Sequence, residues 1–195
     1  MLRSLFNRIR RKIGLSYRKD NRGRRLVAVI ECIINQNARD AGAATFPAMD
    51  WDVVRLCNQY HVGILQLPCP EIHFLGFDRN RKPGESIRNA LDTEAGRESC
   101  RKISMEIADR FQTYINQGYQ ILAILGGNPE SPGCAVHIKE GALLANSGVF
   151  MKELQDELHK RSIDIPFQGI RDSDPDMLAE DIEWFRKILS QNNKK

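Results

Sequence analysis

Three cysteines occupy positions where chemistry is expected. Leu26-Val27-Ala28-Val29-Ile30 runs into Glu31-Cys32, and Gly63-Ile64-Leu65-Gln66-Leu67 into Pro68-Cys69-Pro70-Glu71. Tyr119-Gln120-Ile121-Leu122-Ala123-Ile124-Leu125 runs into Gly126-Gly127-Asn128-Pro129-Glu130-Ser131-Pro132-Gly133-Cys134. Each apolar run has the length and composition of a buried strand, and each gives way to a polar loop that carries a thiol. In the third loop two glycines end the run and two prolines hold the chain open, so Ser131 and Cys134 are presented. If the three strands are parallel neighbours, Cys32, Cys69 and Cys134 meet on one edge of one sheet. Zinc sites normally add a fourth ligand and include a short-range pair such as C-x-x-C; no such pair is present, and Cys134-Ala135-Val136-His137 comes nearest to one. A dithiol redox centre leaves the third sulfur without a role. A cubane iron–sulfur cluster accepts widely separated ligands, and three cysteines leave one iron open as a Lewis acid.

The elements that must position these residues follow from the apolar periodicity. Asp50 is placed to cap a short helix to about Tyr60, with Val53, Val54 and Cys57 inward. Residues 69–91 read as a long loop. The longest helix is predicted from about Asp92 to Gln117, where Cys100, Ile103, Ile107, Phe111 and Ile115 recur at three- and four-residue spacing. Ser147 is expected to cap a helix carrying Val149, Phe150, Leu154 and Leu158. A fourth strand is predicted over 163–170, and Asp174-Pro175 opens a last helix with Leu178, Ile182, Phe185 and Leu189 on its stripe. Strand and helix alternating four times imply an α/β fold: an open, mainly parallel four-stranded sheet with helices on both faces, Rossmann- or flavodoxin-like, with order 2-1-3-4 by analogy. Cys57 and Cys100 fall on apolar helix faces and read as small buried hydrophobes.

A chain of 195 residues with 42% hydrophobic and 28% charged residues suits one globular domain, here residues 25–195. Residues 1–24 form a basic extension and linker in which Leu2, Leu5, Phe6, Ile9 and Ile13 share one helical face. That helix is expected to dock its apolar stripe on its own domain or on a second subunit in a homodimer; the alternative is that it lies on an anionic membrane surface or touches RNA. The first 25 residues hold ten Lys/Arg and one acid, so the rest of the chain is net acidic. An acidic body argues against a stable nucleic-acid partner. Five cysteines, an odd number set within helix- and strand-like runs, point to a reducing compartment, and the absence of a signal-peptide or membrane-spanning run makes the expected location cytoplasmic. No G-x-G-x-x-G or P-loop motif is present to support a nucleotide- or flavin-binding reading.

The three cysteine segments together resemble the 2-thiouracil desulfidase (desulfurase) family. Its first motif, similar to C-L-L-G-x-N-x-R-Y-D-G, stands here as Cys32-Ile33-Ile34-Asn35-Gln36-Asn37-Ala38-Arg39-Asp40-Ala41-Gly42; Cys, Asn, Arg and the last Gly match. The second, C-P-E, is Cys69-Pro70-Glu71. The third, similar to K-E-x-S-P-S-C-G, keeps Ser131, Pro132 and Cys134, with Asn128 at the lysine position and Ala135 at the final glycine. The resemblance covers about residues 26–170 and marks a divergent member. It implies a [4Fe-4S] cluster held by Cys32, Cys69 and Cys134 with one open iron, and Glu71 as a catalytic residue. Ser131 is the second catalytic candidate, to orient the water or the heterocycle; Asn37, Arg39 and Asn128 are the candidates for substrate contacts, with Asn37 and Arg39 open also to binding a cluster sulfide or tying down the first loop. The implied reaction is non-redox removal of sulfur, as sulfide, from a small thiocarbonyl compound such as a thiolated nucleobase. Glu130 and His73 are candidates for the missing lysine's role. The alternative is a non-enzymatic iron–sulfur or zinc-binding module.

Overall fold

In the computed structural model, which describes residues 20–191, four strands form one all-parallel sheet: β1 (Arg25–Ile30), β2 (Gly63–Leu67), β3 (Gln120–Gly126) and β6 (Phe167–Gly169). Their order is β2-β1-β3-β6, the expected 2-1-3-4 arrangement, and a two-residue hairpin, β4 (Ile138–Lys139) and β5 (Ala142–Leu143), stands apart. The amphipathic run at residues 2–15 lies outside the described residues.

The central strands are apolar on both faces because helices cover both. Val27 to Ile30 and Ile121 to Leu125 are all buried, as expected of a doubly covered parallel sheet. Seven helices surround it among the described residues: α1 (Glu31–Ile34), α2 (Trp51–Gln59), α3 (Pro70–Leu75), α4 (Ile87–Leu91), α5 (Glu94–Asn116), α6 (Val149–Lys160) and α7 (Pro175–Gln191). Helices α5 and α6 pack on each other, and α2 packs on α7. The buried stripe of α5 is Cys100, Ile103, Ile107 and Phe111; that of α7 is Ile182, Phe185 and Leu189. Each such Ile, Leu or Phe side chain removed from water contributes roughly 1.5–3 kcal/mol. None of the described helices is long and apolar enough to cross a membrane.

Capping explains most element boundaries. Asp50 Oδ1 accepts the backbone N–H of Asp52 and Val53, and Asp174 Oδ1 those of Asp176 and Met177. Several expectations need correction. The segment 69–91 is not one loop: Pro70 at the first helical position starts α3, Gly76 (φ 79°) ends it, and the Ser86 hydroxyl caps α4. Ser147 does not cap α6; its hydroxyl instead accepts from His137 N–H and donates to His137 O, leaving Gly148 at the cap position. The fourth strand is only three residues long, since it pairs just with the end of β3. On α2, Leu56 takes the buried position expected of Val54.

Candidate functional site

Right-handed crossovers bring the C-terminal ends of all four strands to one edge, and ligands of open α/β sheets bind outside that edge where strand order reverses. Here the reversal falls between β1 and β3. The loops after β1, β2 and β3 enclose a cavity of about 470 Å³ there. Cys32, Cys69 and Cys134 all line it, together with Arg39, Glu71, Arg79, Asn128, Glu130 and Ser131.

Each sulfur is delivered differently. Cys32 sits in the first turn of α1, immediately after β1, and is half-buried. Cys69 is the residue before Pro70, at the N-cap of α3. Its sulfur accepts the N–H groups of Ile72 and Glu71, and its own N–H donates to Glu31 Oε2 at 3.1 Å. Cys134 closes the loop after β3, where Gly127 N–H donates to Cys134 O at 2.9 Å. Two glycines allow this loop to come so close. A Cβ on Gly127 would lie 2.8 Å from Cys134 Sγ, and one on Gly133 2.5 Å from Pro70 Cγ. The absence of side chains thus packs the Ser131–Cys134 loop directly onto the Cys69-Pro70-Glu71 segment.

The polar contacts converge on the same wall. Ser131 Oγ is 3.0 Å from Cys134 Sγ, donates to Glu71 Oε1 at 3.4 Å and accepts Cys134 N–H at 3.3 Å. Glu71 is 8% exposed, a buried carboxylate whose second oxygen lies 3.6 Å from Arg79 Nε. Cys32 and Cys134 hydrogen-bond to each other. That bond from Cys134 lowers the pKa of Cys32, with the Arg39 cation adding to it, and both outweigh burial. The same bond and full burial push Cys134 well above the ordinary thiol value. Burial pushes Cys69 up to about 11, despite the backbone donors at its sulfur.

Arg39 donates to Asp172 Oδ2 at 2.5 Å, and this carboxylate also accepts from Asn128 Nδ2 at 2.7 Å, Gln36 Nε2 at 3.2 Å and Thr45 Oγ1 at 3.4 Å. Asp172 therefore clamps the loop after β1 to the loop after β3. Asn128 lines the cavity, but its amide is engaged on both sides, since its oxygen accepts from Ser173 N–H at 3.3 Å. Asn37, in contrast, is exposed and does not line the cavity. The single 3₁₀ turn Gln36–Ala38 places Gln36 and Arg39, three apart, on the inward face and turns Asn37 out to solvent, bonded to Asn35 Oδ1. Glu130 is an exposed lining residue, whereas His73 is exposed and off the cavity wall. His137 Nε2 lies 2.9 Å from Pro129 O and braces the loop. Arg79, Asp172 and Thr45 escape a reading by motif: they sit in irregular segments, and nothing in their local sequence marks them.

Similarity to a known protein extends over most of the chain. The uncharacterized protein MJ0003 of Methanocaldococcus jannaschii is 32% identical over 142 residues, which cover 73% of this chain and 83% of that one. This chain belongs to the same family. No family model and no solved structure matches it. The family relationship supplies no activity, so the chemistry has to be read from the cavity.

Among the described residues no three His, Cys, Asp or Glu side chains are grouped to hold a single metal ion. A cubane cluster makes a different demand, because each protein sulfur binds its own iron and the sulfurs stand around a volume. Three cysteines from three loops around one cavity, with Arg39 beside Cys32 and Arg79 beside Cys69, fit that demand. The thiol–thiol contact between Cys32 and Cys134 must open for both to serve as ligands.

Proposed function

We propose that this protein is an iron–sulfur-dependent desulfidase, which hydrolyses the C=S bond of a small thiocarbonyl compound such as a thiolated nucleobase and releases sulfide. The observation that carries the reading is the shared cavity: three strand-end cysteines on its wall beside a buried carboxylate and a serine. Cys32, Cys69 and Cys134 would hold a [4Fe-4S] cluster, whose open iron, when present, would supply a soft Lewis acid matched to a thiocarbonyl sulfur.

The remaining work falls to the chain. Glu71 is the general base: its Oε1 faces Ser131 at the cavity wall and takes the proton of the attacking water. Ser131, set between Glu71 Oε1 and Cys134 Sγ, orients that water. Arg39 is fixed by Asp172 and presents its remaining N–H groups near Cys32. The burial of Glu71, Cys69 and Cys134 limits the access of bulk water to this wall of the cavity. In the overall change water's oxygen bonds to the thiocarbonyl carbon, the C–S bond breaks, sulfur leaves as sulfide with water's protons, and no electrons are gained or lost.

The experiment is direct. The anaerobically reconstituted chain is offered thiouracils, other thiolated bases and simple thioamides, without an electron donor, and sulfide is measured. Stoichiometric sulfide and the corresponding carbonyl product are expected. A chain with an intact cluster that releases no sulfide from any of them is a binding module and not a desulfidase.

A further inference from the structure

Arg79 is the one charged residue on the cavity wall that touches a proposed ligand and the proposed base together. It is 2% exposed. Its backbone has φ 49°, in the left-handed region that side chains other than Gly, Asn and Asp rarely adopt. Nη1 donates to Phe77 O at 2.7 Å and Nη2 to Ala38 O. Nη2 also lies 3.9 Å from Cys69 Sγ, while Nε faces Glu71 Oε2 at 3.6 Å. That Nε is buried and has no hydrogen-bond acceptor among the described residues. A buried guanidinium whose Nε meets Glu71 as an ion pair and not as a hydrogen bond, on a disfavoured backbone conformation, is costly to the fold, and such costs gather at functional sites.

We propose that Arg79 is a positioning residue of this site: its fork supports the Cys69 sulfur through one nitrogen and holds the Glu71 carboxylate at the cavity wall through another. One cation then sets both the ligand and the base, which Cys69-Pro70-Glu71 carries two residues apart. The planar guanidinium suits this because its N–H groups diverge in fixed directions, whereas a lysine ammonium is a single point charge. The inference rests on the desulfidase reading and adds to it a residue outside all three cysteine motifs.

The test compares the full-length wild type with Arg79→Gln and Arg79→Lys, each reconstituted anaerobically. Four quantities are read: iron and acid-labile sulfide per chain, the cluster's midpoint potential, kcat and KM for sulfide release from 2-thiouracil, and the unfolding midpoint. Arg79→Gln is expected to keep its cluster and to lose about ten- to a hundredfold in kcat with KM nearly unchanged. Its midpoint potential should move to more negative values, because a donor to a ligand sulfur is gone. Arg79→Lys should recover part of the kcat, and guanidinium at low concentration should restore part of the loss in Arg79→Gln. A purely architectural Arg79, tying Phe77 O to Ala38 O, would lower the unfolding midpoint while leaving the potential and kcat per cluster unchanged. That result overturns the inference and leaves the desulfidase reading standing. Should Arg79→Gln not fold, unchanged potential and kcat in Arg79→Lys would overturn it equally. A wild type that holds a cluster yet releases no sulfide overturns the desulfidase reading, and this inference with it.

Discussion

The five cysteines divide into two groups that burial alone does not separate. Cys57 on α2 and Cys100 on α5 are 2% and 0% exposed; Cys69 and Cys134 at the sheet edge are 6% and 4%. What separates them is polar company. Cys57 and Cys100 pack in the apolar core, where burial pushes each thiol up to about 12. The edge sulfurs meet backbone N–H groups, a hydroxyl, each other and two arginines. A thiol among leucines is a small hydrophobe; a thiol beside polar partners has groups it can bond to, and of the three edge thiols Cys32 is the one whose pKa they lower.

The strongest way to break this comparison is to remove the sulfurs one at a time. Cys32→Ala, Cys69→Ala and Cys134→Ala should each abolish a cluster of about four irons, measured as iron and acid-labile sulfide after anaerobic reconstitution. Cys57→Ala and Cys100→Ala should retain it in full. If iron survives loss of Cys134 or disappears with Cys100, the division is drawn in the wrong place.

A second measurement sharpens it by leaving every sulfur intact. Glu71→Gln keeps the shape and hydrogen bonding of the base but cannot accept a proton. It should hold the cluster and lose at least about 10²-fold in sulfide release. Equal rates for Glu71→Gln and wild type would remove Glu71 from the chemistry.

The core group makes the converse prediction about stability. Cys100→Ala leaves a small void beside Ile103 and should cost roughly 1–2 kcal/mol in urea unfolding of the cluster-free chain, with cluster content unaffected after reconstitution.

The smallest effect concerns pH. Cys57 and Cys100 have folded-state values raised to about 12, above those of the unfolded chain. Neutral thiols are favoured by the fold, so this stabilisation is complete below the ordinary thiol pKa and declines as pH rises above it, towards 12. The unfolding midpoint of the cluster-free chain should therefore fall in that alkaline window, and less steeply in Cys57→Ala and Cys100→Ala. An unchanged slope would mean that these thiols are not as shielded as their burial indicates.

Much of the frame was legible from the chain alone because its signals are local. Runs such as Val27 to Ile30 and Ile121 to Leu125 can only be covered strands, Asp50 and Asp174 announce helix starts, and Cys100 to Phe111 repeat with helical period. Parallel strands joined by right-handed crossovers must end on one edge, so the approach of Cys32, Cys69 and Cys134 followed once the strand order was fixed. Local sequence was silent on the residues that build the wall between them. Arg79 lies in a segment that reads as a loop and turns inward on a left-handed residue; Asp172 follows a three-residue strand and meets Arg39 across 133 positions. Asn37 and Gln36 are neighbours in a polar stretch, and only the 3₁₀ turn decided which of them faces the cavity. Periodicity records which face of an element is buried. Which polar side chains meet across loops depends on close packing between segments far apart in the chain, such as Gly133 against Pro70, and that is settled only by the tertiary structure.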